Sequence, residues 1–347
     1  MSPTDSNVRT PLFVFLLAIL MVHPAAADTS GSDTVAARIA RVAHRDTITV
    51  LVTDSGLGGL AVCADLDARV RKTGTYGKVR IIFANALPES NRGYNRMKTT
   101  QQKVRVFNDA LHGMARLYKP DVILVACNTL SVLIPQTEFV ASSSIPVLGI
   151  VGIGVDMLYD RLVAEPGATA VIFGTETTIG AGTHRRMLIE RGIDPARLVT
   201  QACPNLAGAI ETNAAGDPVA LAVRQFVAQA VSAMPGKGGR VLAGLCCTHY
   251  GYAAARFRGS LLENGVDTVE IIDPNTRMND VLFPADRGRA TAHPECTVEV
   301  VSRAVISPEE QASIGGLVEQ VSPATAAALR AYTLDKELFP FDPNAGE

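Results

Sequence analysis

The sequence predicts an α/β protein made of two similar parallel-sheet lobes, related by a pseudo-twofold axis, with an active site in the cleft between them. Three observations carry that expectation. Short β-branched apolar runs alternate with segments of helical periodicity from about Thr47 onward, the mark of strands buried on both faces. Polar or Gly-rich turns close the strands. The pattern then restarts about 120 residues later, with a Cys-containing polar string at the same place in each round.

The elements follow in order. "TITVLVT" (47–53) reads as a buried strand and "DSGLGG" (54–59) as a tight turn. Leu60, Cys63, Leu66 and Val70 recur at helical spacing. "KVRIIFA" is the next strand. Val104, Phe107, Leu111, Met114 and Leu117 mark a helix that ends before Pro120. "DVILVA" and "IPVLGI" are the third and fourth strands. "TAVIFGTETTIG" (169–180) then repeats the kind of "TVLVTDSGLGG" (49–59), and "RVLAGLCCTHY" that of "DVILVACNTLS". Asp54 precedes Cys127 by 73 positions and Thr175 precedes Cys247 by 72, as a duplication requires. The expected map is a first lobe over 47–147 plus about 260–330, a second lobe over 148–259, and a loose tail over 331–347. In the stretch from about Asp280 to Glu347, "TVEVV" is strand-like and "ATAAALRAY" helical.

Residues 1–27 stand apart. One Arg precedes the apolar run "PLFVFLLAILMV", and small residues at Ala25 and Ala27 lead into Asp28. This predicts a secretory signal peptide cleaved after Ala27, an exported periplasmic or secreted protein, and no stable membrane insertion after cleavage. The weakly basic start leaves an uncleaved anchor as the alternative. "DTSGSDT" reads as a flexible mature start.

Composition narrows the function. The chain has 347 residues, 47% hydrophobic, with a formal net charge of -2. It can build two cores, and its charge gives nucleic acid no purchase. Trp is absent, so base-stacking platforms are not expected. "DSGLGG" lacks the Lys of a phosphate loop. Six Cys in an oxidising compartment suggest disulfides by count, but a chain this long does not need them. Cys-Cys-x-His lacks paired ligand spacing, so no metal is expected.

Two equivalent strand ends would place Cys127 and Cys247 on opposite walls of one pocket, where open parallel sheets bind ligands. Paired thiols can do what one cannot. One removes the α-proton of an amino acid while the other returns a proton from the opposite face, without a cofactor. The developing carbanion needs fixed donors. Asn128, Thr129 and Thr248 follow the two thiols, and their backbone N–H groups favour a carboxylate. Asp54 and His249 are positioned to exchange protons with Cys127 and Cys247, respectively. Cys63, Cys203 and Cys246 read as core thiols, Cys246 because strand alternation turns it away from Cys247.

At these residues the chain resembles glutamate racemase and the wider cofactor-independent aspartate/glutamate racemase superfamily. The resemblance rests on "TDSGLGGLAV" (53–62), "ACNTLS" (126–131), "IPVLGI" (145–150), "ACP" (202–204) and "CCTHY" (246–250), in the family's order. It implies catalytic Cys127 and Cys247, assistance from Asp54 and His249, and substrate contacts from Ser55, Asn128, Thr129 and Thr248. It also implies a discontinuous first domain, completed by the C-terminal part. Three departures stand out. Residues 84–98 lack the family's Asp-(Ser/Thr)-x-Arg-x-Pro-Tyr-Gly stretch and leave Tyr94 as the nearest counterpart, a substrate-binding candidate. Gly152 stands where an acid is usual. The family is normally cytoplasmic and supplies D-glutamate for cell-wall synthesis.

The expected substrate is a small amino acid or dicarboxylic acid, glutamate first, with aspartate or another amino acid behind it. Open alternatives are a cysteine-dependent decarboxylase, a cis–trans isomerase of small carboxylic acids, and an exported solute-binding protein without catalysis. A homodimer is the open question of assembly.

Overall fold

A computed structural model describes residues 34–236 and 238–342. The expected signal peptide lies outside these residues. Ten strands form two sheets in which every pair is parallel. In chain order they are β1 (Thr47–Asp54), β2 (Lys78–Asn85), β3 (Val122–Val125), β4 (Val147–Gly149), β5 (Thr169–Gly174), β6 (Leu198–Ala202), β7 (Arg240–Cys246), β8 (Thr268–Ile272), β9 (Glu295–Ser302) and β10 (Thr333–Leu334). The first sheet has the order β10-β9-β2-β1-β3-β4 and the second β6-β5-β7-β8.

The first four strands of the first sheet and the four of the second thus share one order, in which the first and third strands are central. Their registers agree as well. Thr53 lies opposite Val125, and Gly174 opposite Cys246, the same offset of 72 positions. Ser55, not Asp54, therefore stands in the first sheet where Thr175 stands in the second, one place from what motif spacing suggested.

The central strands are apolar on both faces because both are covered. Val50 and Val52 pack with the helix Leu60–Thr73, while Leu51, Ile123 and Val125 pack with the helix Thr100–Tyr118. In the second sheet Val241, Ala243 and Leu245 share a core with the helix Asp217–Ser232. Leu242 and Cys246 face the helix Ile150–Ala164 instead. Cys246 and Cys247 accordingly fall in different cores, as the alternation of a strand demands.

Three expected boundaries move. A helix, Val35–Ala43, precedes β1 and buries Ile39 and Val42 in the first-sheet core, so the ordered fold starts before Thr47. Thr34 caps it, accepting from Ala37 N. Residues 260–272 belong with the second sheet, because β8 pairs with β7. The described part of the tail is packed: β10 extends the first sheet, and Leu338 and Phe339 are fully buried. Arg303 donates to Phe339 O, and the two apolar side chains each contribute about 2 kcal/mol of burial.

The segment after β9 also reaches the second lobe. Its helix Pro308–Glu319 carries a capping box at Ser307 and Glu310. Ser313 donates to Ile210 O and accepts from Ala214 N, which ties this helix to the helix Leu206–Asn213. All six cysteines are free thiols. No helix among the described residues is long and apolar enough to cross a membrane.

Candidate active site

The strand ends of both sheets open onto one cavity of about 550 Å3. Asp54, Ser55, Tyr94, Cys127, Asn128, Thr129, Cys247, Thr248 and His249 all line it. Every site residue expected from the sequence is thus brought to one place. The five-residue turn after β1 makes this possible. A side-chain carbon at Gly56 would run into the Glu211 carboxylate, and one at Gly58 into Thr248. Only glycine lets the turn lie this close to the second lobe.

The first wall is built around Cys127. It sits beyond β3 and begins the short helix Asn128–Ser131. Ser55 Oγ lies 3.1 Å from its Sγ. Asp54 accepts three hydrogen bonds: Oδ1 from Ser55 N at 2.7 Å, and Oδ2 from Gly59 N at 2.6 Å and Thr248 Oγ1 at 2.7 Å. Burial pushes the Cys127 thiol well above the usual thiol range, and the Asp54 charge beside it adds to that; Ser55 acts the other way. Cys127 is therefore a protonated thiol next to a carboxylate.

The second wall differs. Cys247 follows β7, and its Sγ lies 3.7 Å from His249 Nδ1. His249 Nε2 donates to Glu211 Oε1 at 2.7 Å, and Leu57 N donates to the same oxygen at 2.5 Å. Burial works against a charged His249 ring, but the Glu211 carboxylate and then the Cys247 sulfur outweigh it, so its pKa lies well above that of an ordinary histidine. The pair is a buried imidazolium–carboxylate.

A hydroxyl cluster spans the floor. Thr129 Oγ1 lies 2.8 Å from Thr175 Oγ1, which lies 3.0 Å from Thr178 Oγ1. The Thr248 proton is committed to Asp54, so this hydroxyl braces the first wall from the second instead of standing free for a ligand. Tyr94 is buried, and its hydroxyl donates to Ala86 O, which makes it a wall more than a donor. Burial keeps it a neutral phenol. Gly152 does not line the cavity, and the space about it is open.

Glu211 was missed from the sequence. It is the one acid on a helix of small and apolar residues, Leu206–Asn213, directly after "ACP", and that isolation is the signal that could have found it. His184 was missed as well; its Nε2 lies 3.2 Å from Asn128 Oδ1. Among the described residues no group of His, Cys, Asp and Glu forms a metal site.

No family model matches the chain. A curated glutamate racemase from Chlorobaculum tepidum is 27% identical over 199 residues, which cover 57% of this chain and 66% of that protein. The aligned part thus spans just under two thirds of its length. The crystal structure of glutamate racemase from Campylobacter jejuni subsp. jejuni superposes with a TM-score of 0.58 at 18% identity, covering 77% of this chain and 96% of that one. Glutamate racemase from Francisella tularensis, solved in complex with D-glutamate, gives 0.57 at 20% identity over 80% and 94%. The chain has the α/β fold of these racemases, and its sequence resemblance to glutamate racemases extends well beyond the motifs.

Proposed function

We propose that this chain is a cofactor-independent amino-acid racemase, with glutamate as the leading substrate, that inverts the α-carbon between Cys127 and Cys247. The observation that carries the reading is the pairing of two equivalent strand ends, each with a thiol on the same cavity, Cys127 beside Asp54 and Cys247 beside His249.

The protonation pattern suggests the roles. Cys247, with a protonated imidazole against its sulfur, is set up as the base. Cys127, held protonated, is the acid. The α-proton passes to Cys247 Sγ as the Cys127 proton is delivered to the opposite face of the same carbon. The two thiols then stand with protonation exchanged, ready for the other enantiomer. His249 and Asp54 return the protons to their starting places. The substrate carboxylate shares the negative charge that develops, and the Asn128 amide and nearby backbone N–H groups are there to receive it. Among the described residues Arg96 is the only Arg or Lys lining the cavity, and it makes no ion pair with any of them. It offers a partner for the second carboxylate of an acidic substrate.

Solvent deuterium wash-in at the α-carbon tests the reading across a panel of D- and L-amino acids. Wild type is expected to exchange and racemise an acidic amino acid. Cys127→Ala and Cys247→Ala should each lose about 10^4-fold in racemisation, the scale of a positioned acid or base. Tight binding of an amino acid without exchange would favour a solute-binding protein instead. Export belongs to the same reading, and N-terminal sequencing of the protein isolated from its host is expected to start at Asp28.

A further inference from the structure

The buried amide of Asn128 poses a question that the two thiols leave open. Asn128 follows Cys127, is 2% exposed and lines the cavity. Its Oδ1 lies 3.2 Å from His184 Nε2. Its Nδ2 meets no acceptor among the described residues. A buried donor without a partner costs about 1–3 kcal/mol, and such a group is kept where something else comes to meet it.

The amide, with its Oδ1 against His184, sets which ring nitrogen of His184 carries the proton. His184 lies at the start of the helix Thr183–Glu190 in the second lobe and is 2% exposed. The helix Ile150–Ala164 closes over it at Gly154, whose missing Cβ would stand 3.8 Å from Nε2. An amide oxygen only accepts, so the contact requires Nε2 to carry the hydrogen. Burial alone lowers the ring pKa to about 4, so it stays neutral at working pH. A neutral ring with its proton on Nε2 pins Oδ1 and leaves Nδ2 as the free end.

Resting on the racemase reading, we propose that His184 is a positioning residue: through its hydrogen bond to Asn128 Oδ1 it turns Asn128 Nδ2 toward the substrate, where that amide donates to the α-carboxylate beside Cys127. His184 touches no substrate itself. It acts across the lobes, so the second lobe sets a donor that belongs to the first.

The test combines kinetics with a measurement that needs no turnover. His184→Phe keeps the ring volume and removes the donor, and kcat/KM is expected to fall about tenfold, the size of one hydrogen bond to a charged group. In an Asn128→Ala background the same change is expected to cost less than about twofold, because its effect runs through that amide. His184→Gln keeps a donor at similar reach and should return activity to within about threefold of wild type. Ring 15N spectra of the free protein should show His184 neutral at pH 7 with its proton on Nε2. An equal loss in both backgrounds, a Gln variant no better than Phe, or a proton on Nδ1 would each overturn the proposal. If the Phe variant does not fold, the Gln variant and the ring spectrum decide it. If wild type racemises nothing, the functional reading fails, while the ring spectrum still tests the His184–Asn128 bond.

Discussion

The two walls of the cavity have the same backbone and different chemistry. Cys127 and Cys247 both follow the third strand of a sheet, with the same register to the first strand. Yet one thiol faces a carboxylate fed by three donors, and the other an imidazolium backed by Glu211. The repeat fixes where a sulfur stands. The neighbours fix which group stands beside it. A racemase has to accept mirror-image substrates, and identical walls would leave two thiols in the same state. On the proposed mechanism, the difference between the walls would supply one acid and one base at the start of each turnover.

The largest expected break in this comparison comes from removing one proton partner at a time. Asp54→Asn and His249→Asn should each lower turnover by about 10^2–10^3-fold, within the range of positioned proton transfer. The equilibrium constant for racemisation is unity, so kcat/KM must fall equally in both directions. The asymmetry of the walls should appear instead in kcat and KM taken separately. The two variants are expected to favour opposite enantiomers in kcat, read from initial rates with each enantiomer. Equal kcat for both enantiomers in both variants would mean the walls are interchangeable.

A second effect is on stability. The His249 pKa is raised in the fold, so the ion pair with Glu211 stabilises fully below about pH 6.5, the unfolded value, and fades as pH rises through the folded value. Glu211→Gln should cost about 3 kcal/mol where the pair is charged, since both groups are largely buried. Melting curves should show the gap between variant and wild type widest in mild acid and narrower in alkali. The first wall has no such pair, so Cys127→Ala should not reproduce that pH dependence.

Gly58→Ala sharpens the contact between walls. Its added carbon would meet Thr248 and the His249 backbone, at an expected cost of about 1–3 kcal/mol and with reduced turnover, measured by denaturant titration and rate. The smallest effect is expected from Thr175→Val. It removes one hydroxyl of the floor cluster and should cost about 1 kcal/mol.

The strands, their parallel pairing and both thiols were legible because each is a local pattern: an apolar run, a turn, a polar string. The alternation that parts Cys246 from Cys247 was legible for the same reason. What escaped depends on distance along the chain. Glu211 meets His249 across 38 positions, and His184 meets Asn128 across 56, with no periodicity to announce either. The Asp54–Thr248 bond spans 194 positions. It makes the Thr248 hydroxyl a brace between the two walls. The helix before β1 and the packed end of the chain were missed because short amphipathic pieces need a partner surface before their apolar side means anything.

The first sheet carries a consequence for how the protein is made. β2 is not flanked on both sides until β9 arrives, more than two hundred positions later in translation. The second sheet, by contrast, is complete by Ile272. A ribosome would therefore release a finished second lobe while the first still waits with an open sheet edge, and that interval is when a nascent chain is most exposed to mispairing with its neighbours.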